Sequence, residues 1–315
     1  FMSEPAVAEV WVNGSSAGMS GSQIPLAPGE YEVEVRSTGY EPYAESPSAT
    51  FRWRLGVRPL DLDQWLEITD HRDAELTAKA QIMATHPHTA FAVLDDGIAD
   101  ESHEIADAVL AHLRSHFDPT ITLDTSLHPL DAAARLVQED LVVMVERNGR
   151  LVFGGGSVCF PNRWDLRSKL GMTMAEVHDP VSLLNAQLGD TVDAFLARLT
   201  PQRPVWRLGW GVLDTDELYQ PTDGTAAPRP VDAPPAAHHL RVERETLRRF
   251  PATGCVLFTI HTHLTPLMDV IDSATSAVAL ADALDSMPTP IAEYKQLERT
   301  GAAIADWLRH AATAH

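Results

Sequence analysis

An α+β fold is predicted for this 315-residue chain, with an antiparallel sheet of about five strands and helices before, between and after it. Three observations predict it. Asn148-Gly149 separates two β-rich runs, LVVMVER and RLVFGGG, as a two-residue hairpin turn does. The run CVLFTIHTHLTPL after Thr253-Gly254 has strong β character. Helical periodicity is confined to separate blocks, clearest over 101–117, where Ile105, Val109, Leu110 and Leu113 line one stripe. The hairpin turn and the LFTIHTH strand both argue against a parallel, doubly wound sheet.

Taken in order, residues 7–36 alternate like strands, with Asn13-Gly14 and Pro28-Gly29 as turns and Tyr31, Val33 and Val35 on one face. They read as a small N-terminal β-hairpin unit, an extension spanning 1–50. A loop rich in Ser and Pro runs to about residue 50. The main domain is expected over 51–270, opening on FRWRLGVRPLDLDQWL, whose Trp53, Leu55, Leu60 and Trp65 anchor a turn. Residues 72–85 read as helix, PHTAFAVLD as strand, 131–140 as a short helix, and 164–171 after Pro161 as another. Residues 183–199 are helical in pattern, and WRLGWGVL is a strand. Residues 219–238, rich in Pro, Ala and Asp, form a long loop. LRVERETLRRF starts as a strand and ends as a helical turn. Residues 269–286 and 290–312 are helical, and 271–315 pack on the same domain.

Composition bounds the function. The chain has 24 Lys and Arg against 44 Asp and Glu, a net charge of -20. That sign argues against nucleic acid or an anionic membrane as partner. No run of about 18 apolar residues spans a bilayer, and the first residues lack the basic and apolar regions of a secretory signal. Two cysteines, Cys159 and Cys255, both in apolar strand-like runs, suit buried thiols in a reducing, cytoplasmic setting. They are too few for an iron–sulfur cluster or a zinc ribbon.

Several groups invite a chemical reading. Gly154-Gly155-Gly156 lacks both GxGxxG and GxxxxGK[ST], so a bulge or a close backbone approach is the better reading. His261 and His263 are two apart on a strand and share a face; a metal there needs a third ligand that the sequence does not identify. His178 closes a helix-like stretch and precedes Asp179-Pro180. It can be a capping or packing histidine, or it can ligate haem iron if Asp179 or a backbone carbonyl holds its other nitrogen.

Five phrases, in order, resemble the haem-binding subunit of the haem-dependent oxidative N-demethylase family. They are RLGVRPLDLDQWL at 54–66, HPLDAAARLVQEDLVVM at 128–144, VCFPNRWDLRSKLG with HDPV at 158–181, WRLGWGVLDTDELYQP at 206–221 and LRVERETLRRFPATGCVLFTIHTHLTPL at 240–267. The resemblance covers about 53–270 and leaves 1–50 outside. It implies a PAS-like sheet gripping haem b between sheet and helix, with His178 as the iron ligand and Trp164 and Phe160 beside the cofactor. It implies an oxygenase using O2 on an amine-type small molecule, with electrons from a separate reductase or ferredoxin, flavin, NADPH and iron–sulfur centres being expected only on that partner. Arg207, Arg241, Glu243 and His261, all on predicted strands, are the catalytic candidates; the alternative for each is a surface or buried ion pair. The chain departs from the family's pattern at Gly209, where Asn is usual, and at His261, where Arg is usual. Both departures point to an amine larger than dimethylamine, or to an amino-acid-like substrate. A haem-PAS gas or redox sensor without catalysis is the alternative of a different class, and a haem-free scaffold a third.

Overall fold

The computed structural model describes residues 9–12, 15–19, 33–36, 43–45, 56–95, 97–178, 192, 194–227, 233–271 and 273–313. The chain divides into two compact units, Phe1–Arg52 and Trp53–His315. In the first, β1 (Glu9–Val12), β2 (Ser15–Met19), β3 (Val33–Arg36) and β4 (Tyr43–Glu45) form an antiparallel sheet in the order β2-β1-β3-β4. The Asn13-Gly14 and Pro28-Gly29 turns and Tyr31 lie outside the described residues.

The second unit holds a seven-stranded antiparallel sheet, not five, in the order β5-β9-β10-β11-β7-β8-β6. Its strands are β5 (Arg58–Pro59), β6 (Phe91–Val93), β7 (Asp140–Arg147), β8 (Arg150–Ser157), β9 (Val205–Leu213), β10 (His239–Arg249) and β11 (Val256–Pro266). β5 and β6 are the two edges, and at two and three residues they are too short to show a period in sequence. β7 and β8 meet through Asn148 (φ 54°) and Gly149 (φ 75°), two left-handed residues in succession as a twisted hairpin requires. β10 stays extended to Arg249, against the expected helical turn, because all eleven of its residues pair with β11.

The helices are α1 (Arg72–Thr85), α2 (Pro87–Ala90), α3 (Ala99–His116), α4 (Pro129–Ala134), α5 (Met174–Val177), α6 (Leu267–Val270), α7 (Ala274–Asp285), α8 (Thr289–Tyr294) and α9 (Gly301–Ala312). Pro87 starts a helical turn where a strand is expected, since its fixed φ suits a first helical position. The helix expected at 164–171 is one 3₁₀ turn, Arg167–Lys169, bracketed by left-handed Arg163 and Gly171. Of the helix expected at 183–199, residues 194–198 are helical and most of the rest lies outside the described residues. The two C-terminal helices expected are four; one break is at Pro288 and another at left-handed Gln296.

The sheet has two working faces because side chains alternate along each strand. On the back face, Leu141, Val143, Val145 and Leu257 bury against Ile105, Val109 and Leu113 of α3, with Trp65 beside them. On the front face, Val142, Met144, Phe153 and Val256 form a second cluster, against which Met174, Val177, Trp164, Phe195, Val205, Leu247 and Phe258 pack. Ala277, Ala281, Ile304 and Leu308 of α7 and α9 close on Val212 and Leu267. Two buried charges tie the layers. Lys79 Nζ of α1 donates to the carbonyls of Val137 (2.9 Å) and Glu139 (2.6 Å). The Asp140 carboxylate accepts the N–H groups of Cys159 and Phe160, each at 2.8 Å.

Gly154–Gly156 serve strand packing. A Cβ on Gly155 would stand 2.7 Å from the Ala92 carbonyl and from Val93 Cγ1, and one on Gly156 would stand 2.7 Å from the Leu141 carbonyl. The room is needed by β6 and β7. Gly155→Ala is expected to destabilise the domain by about 2–3 kcal/mol, read from the urea midpoint at unchanged m-value.

His112 of α3 is buried, edge-on to Trp65 at 5.6 Å and stacked on His116 at 4.3 Å. Burial first, then His116 and Arg248, push its pKa down from 6.5 to about 4. The unfolded chain therefore binds a proton between these values that the folded chain refuses, so stability is expected to fall as pH drops from about 6.5 towards 4. The loss is roughly 2–3 kcal/mol at about 1.4 kcal/mol per unit. His112→Gln should flatten this limb of a Tm-against-pH curve.

Candidate ligand-binding face of the sheet

The front face carries an ionic row that the strand register assembles. Glu243 and Glu245 of β10 stand opposite Gly209 and Arg207 of β9, and Arg241 stands opposite Gly211. Arg207 Nε is paired with Glu245 Oε2. Arg241 Nε donates to Glu243 Oε1 at 2.7 Å, and its Nη2 donates to the Phe160 carbonyl (2.8 Å) and to Thr262 Oγ1 (2.9 Å). Arg241 Nη1 is buried with no partner among the described residues. From the end of α8, Lys295 Nζ donates to the Trp210 carbonyl, and Tyr294 lies within the field of Glu243 and Glu245.

The electrostatics follow from enclosure. Burial pushes Glu245 up, and Glu243 adds to this, against the pull of Arg207. Arg207 is raised because Glu245 outweighs its desolvation. Burial and the two carboxylates raise Tyr294, so its phenol keeps its proton. Burial lowers Lys295 despite the same carboxylates. Tyr294 is nevertheless 51% exposed and the Arg207 side chain 34% exposed. Both groups therefore reach solvent while lying close to the buried carboxylate of Glu245. Among the described atoms none lies within 4 Å of a Cβ on Gly211, whereas a Cβ on Gly209 would stand 3.2 Å from Glu245 Oε1, so the two carboxylates occupy the space over Gly209.

α5 covers the same face, packing by Met174 and Val177. It starts at a capping box in which Thr173 and Glu176 satisfy one another, and His178 is its C-cap. His178 Nδ1 lies 2.8 Å from the Met174 carbonyl. A carbonyl only accepts, so Nδ1 carries the proton and the lone pair of the neutral ring is on Nε2. Of the two acceptors considered for this histidine, the backbone carbonyl is the one observed; Asp179 lies outside the described residues.

The structure brings Arg207, Arg241 and Glu243 together on the front face, with Trp164 in the adjoining apolar cluster, where it packs edge-on against Phe153 at 6.3 Å. The Phe160 ring lies elsewhere, with Met83, Ala90 and Cys159, and what it offers the row is its carbonyl. Cys159 is buried and its thiol is pushed up to about 12, chiefly by burial. His261 is on the back face. The period of β11 sends Phe258, Ile260 and Thr262 forward and Thr259, His261 and His263 backward. There His261 Nδ1 meets Glu67 Oε2 at 2.7 Å, and Nε2 lies 3.4 Å from Glu75 Oε2. Burial would lower His261, but its hydrogen bonds to Glu67 and Glu75 and the charge of Glu139 raise it to about 9.

Sequence reasoning passed over Glu245, which its spacing of two from Glu243 places on the same face, and Tyr294 and Lys295, whose approach depends on the fold of α8. Glu67 and Glu75 carry no local signal.

An open antiparallel sheet, a helix-capping histidine with a fixed tautomer and an ionic row on one face describe an α+β protein with its chemistry-bearing side chains gathered on the sheet. Residues 116–305 match the family model described as haem-dependent oxidative N-demethylase, alpha subunit-like, and the chain belongs to this family. The match begins at the last residue of α3 and takes in most of the C-terminal helices, whereas the resemblance noted in sequence covers about 53–270. Residues 2–49 match the model of the PEGA domain. Among the described residues no helix is long and apolar enough to cross a membrane.

Removing one member of the Arg207–Glu245 pair should cost more than removing both. Arg207→Met leaves a nearly buried carboxylate unpaired, an expected loss of about 3 kcal/mol in chemical denaturation, and Arg207→Met with Glu245→Leu should recover most of it.

Proposed function

We propose that the chain holds haem b between α5 and the front face of a PAS-like sheet, with His178 Nε2 as the iron ligand. In this reading it oxidises an amine-type small molecule with O2, by N-demethylation or a related C–N oxidation. The electrons come from a separate reductase that carries the flavin, NADPH and iron–sulfur chemistry. The observation that carries the reading, beside the family, is the hydrogen bond from His178 Nδ1–H to the Met174 carbonyl. Iron-ligating histidines are held in this way, their second nitrogen donating to a fixed acceptor that sets the tautomer and the ring plane. The apolar cluster of Trp164, Val177, Phe195, Leu247 and Phe258, with the open position at Gly211, suits a flat, apolar macrocycle.

Bound haem supplies O2 activation and one-electron steps that no side chain here provides. The chain's own residues bind, orient and deprotonate. The Glu243 and Glu245 carboxylates attract a substrate ammonium. The raised Glu245 is the group suited to take a proton at Oε1, the oxygen not engaged by Arg207 Nε, giving the neutral amine whose lone pair oxidation needs. Tyr294 donates through its phenol, and Arg207 keeps Glu245 oriented. Arg241 and Arg207 flank the two carboxylates in the row, so it offers cations as well as anions and favours a substrate carrying both an ammonium and an anionic group over dimethylamine. His261, on the other face, has no direct part.

An absorption spectrum of the purified protein tests the cofactor: a Soret band, or one formed on adding haemin, is expected, and its absence from both would overturn the reading. His178→Ala should weaken haem binding by about 100-fold and change the ligand spectrum, while the Tm of the haem-free protein stays near wild type. With reductant and O2, N-methylated amino acids are expected to release formaldehyde faster than dimethylamine does.

A further inference from the structure

We propose that Glu67, His261 and His263 form a site for one divalent transition-metal ion on the back face, apart from the haem site. His261 and His263 project to the same side of β11 with ring centroids 4.2 Å apart. Glu67, from the segment ahead of α1, reaches both: its Oε2 lies 2.7 Å from His261 Nδ1 and 3.1 Å from His263 Nε2. All three ligand atoms lie within 4.8 Å of one another. Ligands bonded to one tetrahedral zinc at about 2.0–2.1 Å are separated by roughly 3.4 Å, so the cluster needs only small shifts to close on an ion.

The surroundings are those of a ligand set. Glu75 Oε2 faces the other nitrogen of His261 at 3.4 Å and is itself held by Gln138 Nε2 at 2.7 Å. A carboxylate behind a histidine in this way orients it for a metal. The Glu67 N–H is fixed by Glu139 Oε1 at 2.7 Å. Glu139 is completely buried, and its Oε2 has no hydrogen-bond partner among the described residues. An uncompensated buried carboxylate oxygen is costly, and three carboxylates converge on this spot. Facing them are Arg244, with Nε 3.5 Å from Glu67 Oε1, and Lys79, whose Nζ is engaged by the Glu139 carbonyl. A divalent cation bound in place of the His261 proton supplies the same compensation to these carboxylates.

Two imidazoles and one carboxylate are the donors of zinc and ferrous sites that keep an open position, and the nitrogen donors disfavour calcium and magnesium. The His263 and Glu67 side chains are 37% and 30% exposed, which gives the ion an entry and a place for water. The site joins segments 194 residues apart in sequence.

The protein as purified, with whatever haem it holds, is stripped with EDTA, dialysed and titrated with Zn2+ by calorimetry, with zinc and iron counted by elemental analysis. One equivalent of zinc is expected, independent of haem content, with a rise in Tm that scales with free zinc. Glu75→Gln should weaken binding by about 10–100-fold, and His263→Ala and Glu67→Gln by more than 100-fold. His263 is partly exposed, so His263→Ala should keep the far-UV spectrum and carry the test if His261→Ala does not fold. No saturable uptake, or uptake undiminished in His263→Ala/Glu67→Gln, overturns the proposal and leaves the cluster held by the His261 proton alone.

Discussion

The antiparallel register of β10 and β11 is the constraint on which the rest of this domain depends. Eleven residues of each strand pair without interruption, from His239 opposite Pro266 to Arg249 opposite Val256. With a side-chain period of two, the register sends Arg241, Glu243 and Glu245 to one face and Arg244, His261 and His263 to the other. A slip of one residue on either strand would exchange its share of the ionic row and the imidazole cluster. The turn that sets the register is clamped from outside: Glu104 of α3 accepts the N–H groups of Ala252 (2.8 Å) and Thr253 (2.9 Å) and the Thr253 hydroxyl (2.7 Å).

Much of the architecture was legible. The Asn148-Gly149 turn, the α3 stripe and the LFTIHTH strand are local patterns, and local patterns survive folding. The missed features are those set by tertiary contact. β5 is two residues and is a strand only because Arg58 and Pro59 lie beside Trp206 and Val205. LRVERETLRRF has a helical composition at its end and is extended because both flanking strands demand it. At the site, alternation alone could pair Arg241 with Glu243, as it does here. It could not say which face His261 shares, because the only reference for a face is what packs on it.

The two faces are joined by short covalent steps. Glu139 is directed to the back and Asp140 to the front, where it holds the Cys159 and Phe160 amides. The Phe160 carbonyl is in turn gripped by Arg241 of the ionic row. Lys79 fixes the chain at Glu139 from α1. The segment leading to Trp164 and α5 is therefore held at its start by buried, charge-assisted hydrogen bonds, which are strong and directional in such surroundings. Displacement of either carboxylate would be felt by the elements on both sides of the sheet.

The sheet ends at each margin in a strand of two or three residues, and one of these includes Pro59, which has no N–H to donate. Such margins offer too few hydrogen bonds to recruit a strand from another protein. Any macromolecule that docks on this domain must then approach through helices, loops or an open sheet face, where recognition is by shape and charge. With an acidic chain of net charge -20, that approach favours a partner presenting a basic surface and should quicken as ionic strength falls.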